Sequence, residues 1–144
     1  MNNKVQKYFE NGICLLLIFL FVYTAMSKIL GFEFFRSQLS LYPLLQNAPQ
    51  FTAIAIPSAE LIIALFLLFT QTRVAGLYAS FVMLLVFTSY LIFMVSTQTG
   101  LPCTCGGVIS KMTWRQHIFF NSFFIAITLI AIFLHKKSGE YKSA

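Results

Sequence analysis

Residues 51–70 read FTAIAIPSAELIIALFLLFT, and the interpretation of this run decides what kind of protein the chain is. At about 1.5 Å per helical residue it is about 30 Å long, the thickness of a bilayer's hydrocarbon core. A helix that is apolar all round belongs in lipid or deep inside a large protein, and a chain of 144 residues has no such deep interior to offer. One ionisable group interrupts the run. Counting from Phe51 at about 1.5 Å per residue, Glu60 lies roughly 14 Å in, close to mid-bilayer. An ionised carboxylate there costs several kcal/mol unless it is partnered, so a counter-ion or a bound proton is required. Pro57 removes one helix hydrogen bond and frees the carbonyl of Ala53, an irregularity expected to face protein or a cavity.

The rest of the chain repeats the pattern. Hydrophobic residues make up 58% and charged residues 10%, leaving too little polar surface for a soluble globule. We expect an all-α fold, an integral membrane four-helix bundle forming a single transmembrane domain over residues 1–144. Its helices are expected at about 13–30, 51–70, 74–96 and 114–134. Residues 1–12 are read as a polar lead-in carrying Lys4, Lys7 and Glu10. The small-residue cleavage site of a signal peptide is poorly matched around Thr24-Ala25-Met26, so helix 13–30 is expected to stay. Lys28, one turn before Gly31, is expected to snorkel to the interface. Residues 32–45 place Phe32, Phe35 and Leu39 on one face and read as an interfacial amphipathic segment, which Pro43 ends.

Asn47 reads as the cap of the next helix, with Pro49 in its first turn. Gln71-Thr72-Arg73 is so short a connection that the helices on either side must be antiparallel neighbours. Gly76 and Ser80 form a small-xxx-small pair suited to close helix packing. Tyr78, Thr88, Ser89 and Tyr90 are expected to serve packing or interhelical hydrogen bonds rather than a ligand site. Thr113 and Gln116 have capping-box spacing, with Trp114 as an interfacial anchor.

Between the last two helices, residues 97–113 hold Leu101-Pro102-Cys103-Thr104-Cys105-Gly106-Gly107, the only close cysteine pair. A disulfide across one intervening residue is strained, and strain eases reduction, which suits exchange better than stapling. Two other readings stay open: an inert structural disulfide, and a metal site. The metal reading has only Cys103, Cys105 and His117 as donors, one ligand short of a closed tetrahedral site, so no metal is expected. Cys14, inside the first apolar run, reads as a small buried hydrophobe. His117 and Asn121, four residues apart, share a helix face. For His117, a hydrogen-bonded interfacial histidine and a proton-transfer role are both open.

The net charge of +6 would suggest nucleic acid in a soluble chain. Here the basic residues flank apolar runs, so they read as topology signals, with membrane lipid as the contact and no nucleic acid expected. Four spans put Lys4, Lys7, Arg73, Lys136, Lys137 and Lys142 on one side, against Lys28, Arg36, Lys111 and Arg115 on the other. The positive-inside rule then makes both termini cytoplasmic and the cysteine loop extracytoplasmic, where disulfides persist. No phosphate loop, zinc-protease motif or hydrolase triad order is present.

Taken together, Ala25-Met26-Ser27-Lys28, Pro57-Ser58-Ala59-Glu60 and Cys103-Thr104-Cys105-Gly106-Gly107, with Trp114-Arg115 leading to Asn121, resemble the MauE/DoxX-like family of redox-associated bacterial membrane proteins. The bundle is also similar to that of vitamin K epoxide reductase-type enzymes, whose cysteines are spaced Cys-x-x-Cys. The resemblance implies a thiol–disulfide oxidoreductase role at the periplasmic face of the bacterial inner membrane. Its partner would be an exported cysteine-containing protein or an extracytoplasmic thioredoxin-like protein, and electrons would pass to a membrane quinone. On that reading Cys103, Cys105, Lys28, Glu60, Arg115 and His117 gather in the outer half of the bundle. Arg115 and the positive end of the last helix would make Cys105 the more acidic thiol, leaving Cys103 to meet the partner. Glu60 would carry a proton or pair with Lys28, although a depth difference of roughly 11 Å makes contact marginal without tilt. The alternatives are a non-enzymatic subunit of a larger membrane complex with a structural Cys-x-Cys loop, and a metal-binding membrane chaperone.

Overall fold

The computed structural model describes residues 3–41, 45–97 and 114–140, with side chains over 5–41, 45–97 and 115–136. Among these residues the structure is helical: α1 (Asn3–Leu30), α2 (Phe32–Leu39), α3 (Pro49–Leu68), α4 (Arg73–Thr97) and α5 (Trp114–Glu140). Stretches Val5–Leu30, Pro49–Leu68, Arg73–Thr97 and Arg115–Lys136 are long and apolar enough to cross a membrane. Each long helix lies between two others: α1 packs on α3 and α5, and α4 packs on the same pair from the other side. Large apolar side chains such as Phe19, Phe119 and Phe133 stand outward, a surface that only lipid covers without penalty.

The core follows a single stripe on each helix. On α1, Gln6, Glu10, Cys14, Leu17, Phe21, Ala25 and Lys28 recur every three or four residues and are all buried. This corrects the expected start of the first helix: α1 begins at Asn3, not near residue 13, because the stripe continues through the polar lead-in. Cys14 sits in the main cluster with Leu17, Phe21, Ile63, Leu67, Leu77 and Phe124. Thr88, Ser80 and Thr128 are buried too, but each hydroxyl donates to the carbonyl four residues back on its own helix, at 2.7 Å. Of the two roles expected, packing or an interhelical bond, the buried Thr88 takes the first and bonds only along its own helix, as does Ser89, which donates to Leu85 O at 2.8 Å.

Two ends are built differently from expectation. The residue capping α3 is Ala48, with no side-chain capping bond from Asn47, while Pro49 does occupy the first turn. α3 runs on through Pro57, which is buried, as is Ala53 beneath it, so the irregular stretch faces protein. α2 ends at Leu39; Pro43, Thr113 and the side chain of Trp114 lie outside the described residues.

The turn between α3 and α4 is held by Thr72, whose hydroxyl donates to Phe66 O at 2.9 Å. It brings Gly76 against the start of the turn so closely that an added Cβ would lie 2.9 Å from the backbone nitrogen of Leu67. Gly76→Ala must push the two helices apart. We expect a loss of about 1–3 kcal/mol, the usual cost of overpacking a core. Thermal unfolding in detergent checks this, and an unchanged midpoint would mean that the contact yields freely.

Candidate functional site

Lys28 and Glu60 meet. Lys28 Nζ donates to Glu60 Oε1 at 2.7 Å, with the two side chains only 4% and 8% exposed. The expectation that Lys28 snorkels outward is overturned, whereas the pairing with Glu60, expected to be marginal without tilt, is made. The physical reason is the direction of side chains on helices. Every Cα–Cβ bond tilts toward its helix's N-terminus. α1 and α3 run in opposite directions, so Lys28 leans inward along α1 while Glu60 leans outward along α3. The lean of Lys28 is visible in its second contact, Nζ to Thr24 O at 3.4 Å, one turn back toward the N-terminus.

α2 closes this site from above. Its apolar face buries Phe35 and Leu39 against Ala53 and Met94, and the Phe35 ring lies 5.9 Å from Lys28 Nζ. Such a cation–ring contact adds attraction where water is excluded. Glu33 and Arg36, on the opposite face of α2, pair with each other at 3.0 Å in solvent-accessible positions. Among the described residues the carboxylate of Glu60 is only half satisfied: its Oε2 is buried without a hydrogen-bond partner. An unsatisfied buried acceptor costs about 1–3 kcal/mol, more when charged, so this oxygen is a natural place for a proton or a donor from a bound molecule.

The remaining expected site residues lie as follows. His117 is buried on α5, its ring 5.6 Å from that of Phe87 on α4. Asn121, one turn further along, is also buried, and its Nδ2 has no acceptor among the described residues. Arg115 is exposed, and its side chain borders a groove between α1 and α5. Cys103 and Cys105, with Gly106 and Gly107, lie outside the described residues. Among the described residues there is no group of three or more His, Cys, Asp or Glu side chains placed to hold a metal.

A second ionic cluster, at the opposite end of the bundle, was not anticipated from the sequence. Glu10 Oε1 lies 2.7 Å from His135 Nδ1 and 3.8 Å from Arg73 Nη1, and Arg73 Nη1 donates to Asn11 Oδ1 at 2.7 Å. It ties α1, α4 and α5 together where the chain termini emerge. The signal was present in the spacing Gln6, Glu10, Cys14, Leu17, which extends the buried stripe of α1; reading residues 1–12 as a lead-in concealed it.

A family model described as "Methylamine utilisation protein MauE" matches residues 6–134. No curated protein and no solved structure matches the chain. The matched span runs from the buried Gln6 of α1 to the last buried turn of α5, so it takes in the Lys28–Glu60 pair, Glu10 and Arg73 of the second cluster and most of all four long helices, and stops one residue short of His135.

Proposed function

Because the chain belongs to the MauE family, we propose that it is a membrane-embedded thiol–disulfide redox protein in which Cys103 and Cys105 cycle between disulfide and dithiol on the periplasmic side of the bacterial inner membrane. The observation that carries this reading is the buried Lys28–Glu60 pair: a charged, half-satisfied site sealed inside membrane-spanning helices has no need to exist for packing alone. Buried ion pairs are weak contributors to stability compared with apolar residues of the same volume. A site that protein chemistry makes costly and that carries an open proton acceptor suits a reaction that releases protons.

A dithiol on an exported partner gives up two electrons and two protons to become a disulfide, and Cys103–Cys105 takes them to become a dithiol. The thiolate is the attacking species, so the positive end of α5 favours reaction in the loop just before it. Re-forming the Cys103–Cys105 disulfide releases two electrons and two protons again. Glu60 Oε2 is a station for one of those protons, and Lys28 holds the carboxylate in place. His117, buried one turn before Asn121, is placed to serve as a second.

The electron acceptor that fits is a membrane quinone, which supplies a two-electron, two-proton sink when bound. A quinone carbonyl needs an N–H donor in an apolar surround. Asn121 Nδ2, buried and without an acceptor among the described residues, provides one.

The orientation follows from the six-to-four distribution of Lys and Arg, which makes both termini cytoplasmic. A membrane-impermeant maleimide applied to intact, reduced spheroplasts is expected to label Cys103 or Cys105 and to spare the buried Cys14. Labelling only after lysis would place the loop in the cytoplasm and remove the oxidative role.

A further inference from the structure

We propose that the groove between α1 and α5 is a binding site for one anionic phospholipid, with Arg115 holding the phosphate. The groove has two continuous parts. Toward the start of α5 it is bordered by Arg115, Gln116, Phe119 and Phe123, with the buried Phe124 as its floor. Leu16 and Phe123 also border the second part, which continues past Ile13 and Gly12 toward Tyr8. Gly12 opens this part, because a Cβ built there would meet nothing within 4 Å.

Three features select the occupant. The groove lies on the outward side of two membrane-spanning helices, so hydrocarbon must fill it. Its one cation sits at one end: Arg115 is exposed and forms no ion pair among the described residues, whose carboxylates Glu10, Glu33 and Glu60 are engaged elsewhere. From Arg115 to Phe124 the floor descends about 14 Å at 1.5 Å per residue, close to the ~15 Å hydrocarbon depth of one leaflet. A guanidinium at the interface above an apolar groove whose first part is one leaflet deep is complementary to a phosphate esterified to an acyl chain, and its planar fork pairs with two phosphate oxygens. The chain then runs over Phe119 and Phe123 and ends at the hollow beside Gly12. A zwitterionic phospholipid fills the slot equally well but presents its own cation to Arg115, so the preference is for net negative charge.

The test is native mass spectrometry of the full chain in detergent, offered phosphatidylglycerol and phosphatidylcholine of identical acyl composition. The wild type is expected to retain one phosphatidylglycerol about tenfold more readily than phosphatidylcholine. Arg115→Gln should abolish the preference, and Arg115→Lys should retain most of it. Arg36→Gln, at a half-buried arginine away from the groove that pairs with Glu33, should leave it unchanged. Gly12→Phe, which fills open space, should reduce retention of both lipids. Equal retention of the two lipids by the wild type would overturn the proposal. So would a preference that survives Arg115→Gln or disappears with Arg36→Gln. A dimer of the chain that Gly12→Phe dissociates, with no lipid retained, would show that a second copy occupies the groove instead.

Discussion

Lys28→Met is expected to lower the stability of the detergent-solubilised protein by about 3–5 kcal/mol, the cost of leaving one charge of a buried pair without its partner. Glu60→Met should cost about the same, for the same reason. The double substitution removes both desolvation penalties and puts two flexible apolar side chains in their place. It is therefore expected to recover to within about 1 kcal/mol of the wild type, a strongly non-additive result. Unfolding followed by loss of helical circular dichroism in mixed micelles measures all four proteins. If the double variant lost the sum of the two single effects, the residues would not be acting as a pair. Glu60→Gln is the functional probe: it keeps an oxygen for Lys28 Nζ and should insert normally, but it cannot accept and release a proton, so redox turnover should fall while the fold persists.

The second large effect concerns the order of attack at sulfur. If Cys103 meets the partner and Cys105 resolves the intermediate, Cys105→Ser removes the thiol that would break the Cys103–partner bond, and a mixed disulfide accumulates. Cys103→Ser should trap far less. The adduct should disappear on reduction and, by mass spectrometry, contain an exported cysteine-bearing protein or an extracytoplasmic thioredoxin-like one. Equal trapping by both variants would overturn only the order. No adduct from either would favour a loop whose disulfide is structural.

The all-α membrane bundle was legible in the sequence because lipid imposes a simple rule: any run near 30 Å long that is apolar all round spans, and Phe51–Thr70 obeys it plainly. The need for a partner to Glu60 was legible on the same ground. Lys28 was legible only as one of two options, beside a bound proton, because a depth count treats side chains as points on the helix axis and made the contact look marginal. Lys28 and Glu60 have long stems that lean toward opposite helix N-termini, and this lean closes a gap that backbone rise alone leaves open. The Glu10–His135–Arg73 cluster was hidden for a different reason. Residues 1–12 look polar as a composition, yet Gln6 and Glu10 continue the three-and-four spacing of Cys14, Leu17 and Phe21, and period is more informative than average polarity there. Arg115 shows the limit of sequence proximity. Its place in the chain beside the cysteine loop gave no hint that its side chain also borders the α1/α5 groove.

The central claim is that Cys103 and Cys105 interconvert between two oxidation states. Its most direct test is a redox titration of the purified protein in detergent, with Cys14→Ala as background, equilibrated across thiol–disulfide buffers and quenched with a mass-tagging alkylating reagent. The account predicts a two-electron transition in which both cysteines become alkylated together, at a potential above the roughly −300 mV below which structural disulfides of exported proteins typically lie. A pair that stays unalkylated at every potential down to that value would contradict it, and the Cys-x-Cys loop would then be a fixed staple on a non-enzymatic membrane subunit.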